Sequence, residues 1–539
     1  MITCVMTPRY RLRATAAALL TLGSIVGLLA PSSHADTGLV DVMATIPMSD
    51  GVVLAAETVT AAGSGPHPLV VMPGSWGSNQ LQYHSIALLF GNAGYDVVGY
   101  SDRGMATSQG LADYADAATV SDVSTVINWS VQHLNADVNR VGVFGISYGA
   151  GVGLLAAERD PRIKSVAALS TWTDFTDTFL PSGSISSDLI RGLALSTTGT
   201  APHVRLGPQT AALFSEYQSN PVAARQLIRQ LSKTRSPIND VTGLSHTAVM
   251  LANGMQDSLL PPRQLVTMFA NLKGPKRLEL RTGDHGQPEA QALYGDNMNT
   301  GPVADALTWT NHYLRGIANG IDTARPVSLT DTITGVTTGY ARWPGKSATV
   351  IDPLATPDGV PSDPSRVSIG SADSGDWSRA IPWGLNTPAE TAYEQTDFTN
   401  PYRIPTVPSA NFSSYFSFVW NGPDAAAAQA YAGSPTLTVS VSATQPSVSL
   451  VAYLYDVDAA GTASFMTVAP MTLTGLAAGT SKPVTFNFQP IAWTVAAGHH
   501  LALVVDSADH GWSSSNVSPT TLQITSTAAA PAQLRLPTP

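Results

Sequence analysis

The pentapeptide Gly145-Ile146-Ser147-Tyr148-Gly149 constrains this chain more than any other stretch, because of what flanks it. Val141–Phe144 before it is a short apolar run of strand type. Ala150–Glu158 after it is a small-residue run of helix type. A G-x-S-x-G turn between a strand and a helix must be sharp. Its serine takes a strained backbone conformation, and the glycines let strand and helix pass without a clash. Such a turn lifts the hydroxyl to the carboxyl end of a parallel sheet, in front of a helix N-terminus that favours negative charge.

The rest of the chain supplies the sheet. Over residues 40–174 and 245–324 short apolar runs alternate with helical ones, the pattern of βαβ units. Strands are predicted at Pro68–Met72, Tyr95–Tyr100, Val141–Phe144, Val166–Leu169, Ala248–Leu251 and Arg277–Leu280. A helix is predicted at Val120–Gln132, with Val123, Val126, Ile127 and Ser130 on one face. Residues 175–244 interrupt the strand pattern, and Ser187–Leu195 and Pro221–Lys233 read as helices. This insertion is expected to form a helical cap over the site, or else an extra structural layer. From 325 to 539 Pro, Gly, Ser and Thr separate short alternating runs such as Leu437–Val441, Ser449–Tyr455, Val484–Phe488 and His500–Val505, which predicts an all-β sandwich. The stretch 352–386 is expected to be irregular loop. The fold class is therefore an α/β sheet with a helical cap, followed by a β-sandwich.

Residues 1–35 read as a signal peptide. Arg9, Arg11 and Arg13 precede a mostly apolar segment, and Ser33-His34-Ala35 offers a small-x-small cleavage site. A retained anchor is the other reading, though the apolar run is short for a bilayer. The expected location is extracytoplasmic, with no stable membrane insertion once the signal is removed. The net charge is −10 and becomes about −13 without the leader's arginines, which argues against nucleic acid as a partner. Cys4 is the single cysteine and lies in the leader, so a mature chain starting at Asp36 has no disulfide and no thiolate metal ligand.

A serine hydroxyl needs a base, and the base needs an orienting acid. On such a sheet the chain order is serine, acid, histidine. Asp257 follows the strand ending near Leu251, and His285 follows the strand ending near Leu280, so both fall at the sheet edge that carries Ser147. Asp284 is the rival acid, but it adjoins His285 in sequence and is better placed to support the loop. The oxyanion donors are expected to be the Tyr148 N–H and one from the loop Pro73–Gly77, with Ser75 the first choice and Trp76 the second. Trp172 and Trp76 are expected to line the substrate pocket, or to pack beneath the cap. There is no Walker loop, no G-x-G-x-x-G and no H-E-x-x-H, so neither a cofactor nor a metal is expected. Asp456 and Asp458 offer carboxylates for calcium, but read more simply as a solvated turn.

Taken in order, these residues resemble the X-prolyl dipeptidyl-peptidase and cocaine-esterase family. The likeness rests on Asp50-Gly51, Gly94–Val98, Asp102-Arg103-Gly104 with Ser108-Gln109-Gly110, the Ser147 turn, Arg235-Ser236-Pro237, Gly254 with Asp257, and Gly283 with His285-Gly286. Tyr453–Val457 and Ala497–Leu501 extend it to the C-terminal part. The resemblance implies an α/β-hydrolase domain, a helical cap, a jelly roll and acyl-enzyme chemistry on a small ester or amide. It also brings departures. The family often carries a tyrosine in the oxyanion loop, which here reads Pro73-Gly-Ser-Trp-Gly77. A peptidase of this kind needs carboxylates to hold a free amine, and the cap's acids Asp177, Asp188, Glu216 and Asp240 are scattered. A carboxylic-ester hydrolase is the reading these residues favour. An X-Pro aminopeptidase, an acyltransferase and a non-catalytic surface-binding protein are its rivals.

Overall fold

The computed structural model describes residues 38–197, 203–351, 376–382, 404–412, 416–516 and 519–539, so the expected leader lies outside the described residues. Ten strands form the central sheet: β1 (Val40–Pro47), β2 (Val53–Thr60), β3 (Pro68–Pro73), β4 (Asp96–Tyr100), β5 (Asp137–Ile146), β6 (Ile163–Leu169), β7 (Ala248–Gly254), β8 (Lys276–Arg281), β9 (Val327–Thr330) and β10 (Thr337–Tyr340). Their order is β1-β2-β4-β3-β5-β6-β7-β8-β9-β10. The strands from β4 to β9 run parallel, while β1, β2 and β10 join antiparallel at the edges.

The parallel strands read as continuous apolar runs because helices cover both faces. Leu69 and Val71 face a layer that includes Val123, Ile127, Val152, Leu155 and Leu265. Val70 and Met72 face Ile86, Phe90, Val303 and Trp309. The helix Ala117–His133 buries the predicted Val123, Val126, Ile127 and Ser130, and Asp116 caps it by accepting from Thr119 N. Between β6 and β7 the insertion forms helices Phe175–Phe179, Ser187–Leu195, Pro208–Ser219 and Pro221–Arg235.

The C-terminal part is an antiparallel sandwich. One sheet is built around Thr436–Ala443, which pairs with Lys482–Asn487, Thr521–Ser526 and Gln533–Pro537. The other is built around Ser447–Val457, between Thr462–Thr474 and His500–Asp506. Trp420, Leu437, Leu450, Phe486 and Trp493 share the core between them. Two expectations need correction. The central sheet does not stop at residue 324: β9 and β10 extend it to Tyr340, because Val327 and Leu329 bury alternate side chains beside β8. Within the stretch expected to be loop, Trp377–Pro382 is a strand on Thr521–Ser526, with Trp377 and Ile381 buried on one face. Asp456 is buried and accepts from Trp493 Nε1 and pairs with His499, and Asp458 caps the turn to Thr462.

The family-like residues near the N-terminus are structural ties. Arg103 donates from Nε and Nη2 to both oxygens of buried Asp122, at 2.7 and 2.6 Å, and from Nη1 to Asp50 at 2.8 Å. Gly104 adopts φ 75°, and a Cβ there would lie 2.2 Å from Ala112 N. Ser108 Oγ donates to Ser101 O and accepts from Ala55 N, joining the end of β4 to β2. Arg103→Ala strands the Asp122 carboxylate without its partner and is expected to destabilise the fold by about 3–5 kcal/mol. Urea unfolding followed by tryptophan fluorescence measures the shift.

Candidate active site

β5 ends at Ile146, and the chain turns at Ser147 with φ 58° and ψ −121° into the helix Tyr148–Ala157. The flanking glycines are required by contact. A Cβ at Gly149 would fall 2.0 Å from Pro73 O, and one at Gly145 would fall 2.5 Å from Ala150 N. The strained turn is anchored by Ser147 N donating to Leu169 O at 2.8 Å.

The three distant loops meet. His285 Nε2 lies 2.9 Å from Ser147 Oγ, and His285 Nδ1 lies 2.9 Å from Asp257 Oδ2. Glycines again allow the approach: a Cβ at Gly254 would lie 2.2 Å from Gly283 O, so the acid loop and the histidine loop pack backbone to backbone. Asp257 Oδ1 accepts from Leu259 N and Leu260 N at 3.0 and 2.7 Å, and Asn253 Nδ2 donates to Oδ2 at 3.2 Å. The carboxylate is thus fully occupied and fixed in direction. Asp284 instead accepts from Ser258 N, Ser258 Oγ and His285 N, which makes it a support of the loop.

A third carboxylate, missed by sequence reasoning, is Glu289. It is fully buried, and Ser170 Oγ donates to both its oxygens at 3.0 and 3.1 Å. Gly286 N, next to His285, donates to the same Ser170 Oγ at 3.4 Å. Burial pushes Glu289 up to about 7, against the Ser170 hydrogen bond and the His285 charge. For His285, burial favours the neutral ring, but the Asp257 charge and hydrogen bond, with Asp284 and Glu289 behind them, outweigh it and raise the pKa. Nothing in the local pattern marks Glu289 except its place four residues beyond His285.

The oxyanion expectations divide. Tyr148 N opens its helix, and no hydrogen bond among the described residues engages it. Ser75 N, the first choice in the loop, is not available: it donates to Gln82 Oε1 at 2.7 Å, while Gln82 Nε2 donates to Ser75 Oγ at 2.7 Å. Trp76 N has no hydrogen-bond partner among the described residues, and Trp76 lines the same pocket as Tyr148. Ser75 and Tyr83 brace the turn instead. Ser75 Oγ donates to Ile146 O at 2.9 Å, and Ile146 N donates to Tyr83 OH at 3.0 Å.

The pocket above Ser147 is lined by Trp76, Tyr148, Leu189, Leu193, Leu260 and Leu293, among others, with His203, His285 and Gln82 as its larger polar groups. Trp76 lines it, and its Nε1 donates to Leu193 O and Ser196 Oγ of the cap at 3.1 and 2.8 Å. Trp172 does not. Its ring lies beneath the helix Tyr148–Ala157, where a Cβ at Gly151 would meet it at 2.3 Å, and its Nε1 donates to Arg235 O at 2.8 Å. The sequence marks the pocket leucines of the cap only as part of a helix at Ser187–Leu195, without an indication of what they meet.

Comparison with known proteins agrees with this architecture. Residues 50–287 match the profile of X-Pro dipeptidyl-peptidase (S15 family), and residues 423–536 match that of the X-Pro dipeptidyl-peptidase C-terminal non-catalytic domain. The chain is 26% identical over 263 residues to the acyltransferase drtE of Aspergillus calidoustus, spanning 42% of this chain and 82% of that protein. An aminopeptidase from a marine sediment Thaumarchaeota archaeon superposes with a TM-score of 0.72 at 13% identity, over 94% of this chain and 98% of that one. A CocE/NonD family hydrolase from Staphylococcus aureus gives 0.68 at 13% identity, over 96% and 99%. These two share the fold.

Anionic Glu289 stabilises the imidazolium, so Glu289→Gln is expected to lower the His285 pKa. NMR titration of the imidazole measures that shift, which is downward for His285 and absent for the surface histidine His133.

Proposed function

We propose that this chain, which belongs to the X-Pro dipeptidyl-peptidase (S15) and CocE family of hydrolases, is an exported serine hydrolase that cleaves carboxylic esters through an acyl-enzyme on Ser147. The observation that carries the ester reading is the pocket wall, which among the described residues contains no Asp, Glu, Lys or Arg. A free α-amine needs a buried counter-charge, and none of the cap's four acids lines the pocket; two of them are paired elsewhere, Asp177 with Arg263 and Asp188 with Arg191. The leucines and Trp76 suit an uncharged, apolar acyl or alcohol group.

In the proposed reaction His285 Nε2 takes the Ser147 proton as Oγ attacks the acyl carbon. Asp257 holds the ring and stabilises the imidazolium. The oxyanion is received by the N–H groups of Tyr148 and Trp76, in place of the tyrosine hydroxyl that the family often uses. Each such donor is worth about 10²–10³ in turnover. The imidazolium protonates the departing alcohol. Water then gives a proton to His285 and attacks the acyl group, releasing the acid and restoring the serine. The arginine-flanked apolar leader supports placing the enzyme outside the cytoplasm.

Acyl transfer to an alcohol in place of water is the second reading, favoured by the likeness to drtE, whose name is acyltransferase. One assay separates the alternatives. Nitrophenyl esters of increasing acyl length are compared with an X-Pro anilide, with and without an added alcohol. The expected result is ester turnover exceeding the anilide's by about 10² or more, with a preference for longer over acetyl chains. Faster release from the anilide would contradict the ester reading, and a new ester formed at the expense of free acid would identify a transferase.

A further inference from the structure

Far along the sheet from Ser147, β1, β2 and the helix His84–Asn92 bring three metal-ligating side chains together. Asp41 on β1 and Glu57 on β2 share one face of the hairpin, since Met43, two residues beyond Asp41, is the cross-strand partner of Glu57. His84 is the first residue of the helix. Its Nδ1 lies 2.5 Å from Glu57 Oε1 and 3.7 Å from Asp41 Oδ2. One ligand atom from each of the three falls within 4.8 Å of the others.

Two further observations point to a ligand there. Glu57 is 1% exposed, and its Oε2 has no hydrogen-bond partner among the described residues. An unpaired carboxylate oxygen out of water is costly unless a positive charge answers it. Gln80 Oε1 is also buried and unpartnered, while Gln80 Nε2 reaches the sulfur of Met43, the residue facing Glu57. Two carboxylates and one imidazole nitrogen thus converge on one point at the sheet edge.

We propose that Asp41, Glu57 and His84 form a binding site for a divalent transition-metal cation of the zinc type. The donor set decides the class: two carboxylate oxygens and an imidazole nitrogen suit zinc, manganese or cobalt, whereas calcium takes oxygen ligands throughout. Water completes the coordination, and the partly exposed His84 and Asp41 side chains, at 43% and 36%, give the ion its entry. A tetrahedral zinc holds its ligand atoms about 3.4 Å apart. The Nδ1–Oε1 contact therefore opens by about 1 Å on binding, which a helix-terminal histidine accommodates.

The position gives the ion a consequence. His84 directly follows Gln82 and Tyr83, whose side chains hold Ser75 and Ile146 at the Ser147 turn. A cation at His84 ties the edge of the sheet to that brace. The ligands are separated by 16 and 27 residues of sequence, so no compact metal motif announces them.

The test is isothermal titration of the full-length protein, stripped with chelator, against zinc chloride. One equivalent is expected to bind and to raise the melting temperature. Asp41→Asn, on an exposed edge position that tolerates substitution, and His84→Ala each weaken that binding at least tenfold, and the thermal shift disappears with it. His285→Ala leaves the zinc affinity unchanged, which separates this site from the histidine beside Ser147. Absence of binding, undiminished wild-type affinity in Asp41→Asn and His84→Ala, or loss of binding in His285→Ala would each overturn the proposal and leave an imidazolium bridging two carboxylates.

Discussion

The close passage of β3, β5 and the helix Tyr148–Ala157 is the constraint on which the site depends. The end of β3 lies so near Gly149 that no side chain fits between them. One contact therefore holds the Ser147 turn and the loop that carries Trp76 in fixed relation. The strained backbone at Ser147 costs of order 1–3 kcal/mol. It persists because the parallel strands beside it are buried on both faces, and because Ser75 and Tyr83 hold Ile146 from below.

Electrostatics around His285 follow from the same packing. Asp257, Asp284 and Glu289 are all buried within reach of one imidazole. The hydrogen bonds to Asp257 and Asp284 come mainly from backbone N–H groups of the loops they shape, so they define position as well as charge. Glu289 differs: a serine hydroxyl is its donor, and burial pushes its pKa up to about 7. The imidazole is consequently oriented by its hydrogen bond to Asp257 and modulated by a second buried carboxyl behind it.

Much of this was legible in the sequence. The strands β3 to β8, the amphipathic helix after Asp116 and the glycines at 145, 149, 254 and 283 all carry local signals, and those glycines mark where backbones touch. The residues that converge on Ser147 were legible because chain order on such a sheet is fixed by topology. What stayed hidden depends on tertiary contact. Ser75 looked like a free donor until Gln82 folded back on it. Trp172 looked like a pocket residue because it follows a strand end, but its ring turns under Gly151. The continuation of the sheet through β9 and β10 was obscured because two short edge strands resemble the β-rich segment after them. Asp41, Glu57 and His84 belong to three elements that only the sheet edge brings together.

The account stands or falls on Ser147 as the nucleophile. The most direct measurement is mass spectrometry of the protein after reaction with a fluorophosphonate. The account predicts a single adduct on the peptide containing Ser147, and none on a folded Ser147→Ala variant. An adduct on a different serine, or undiminished labelling of that variant, would contradict it.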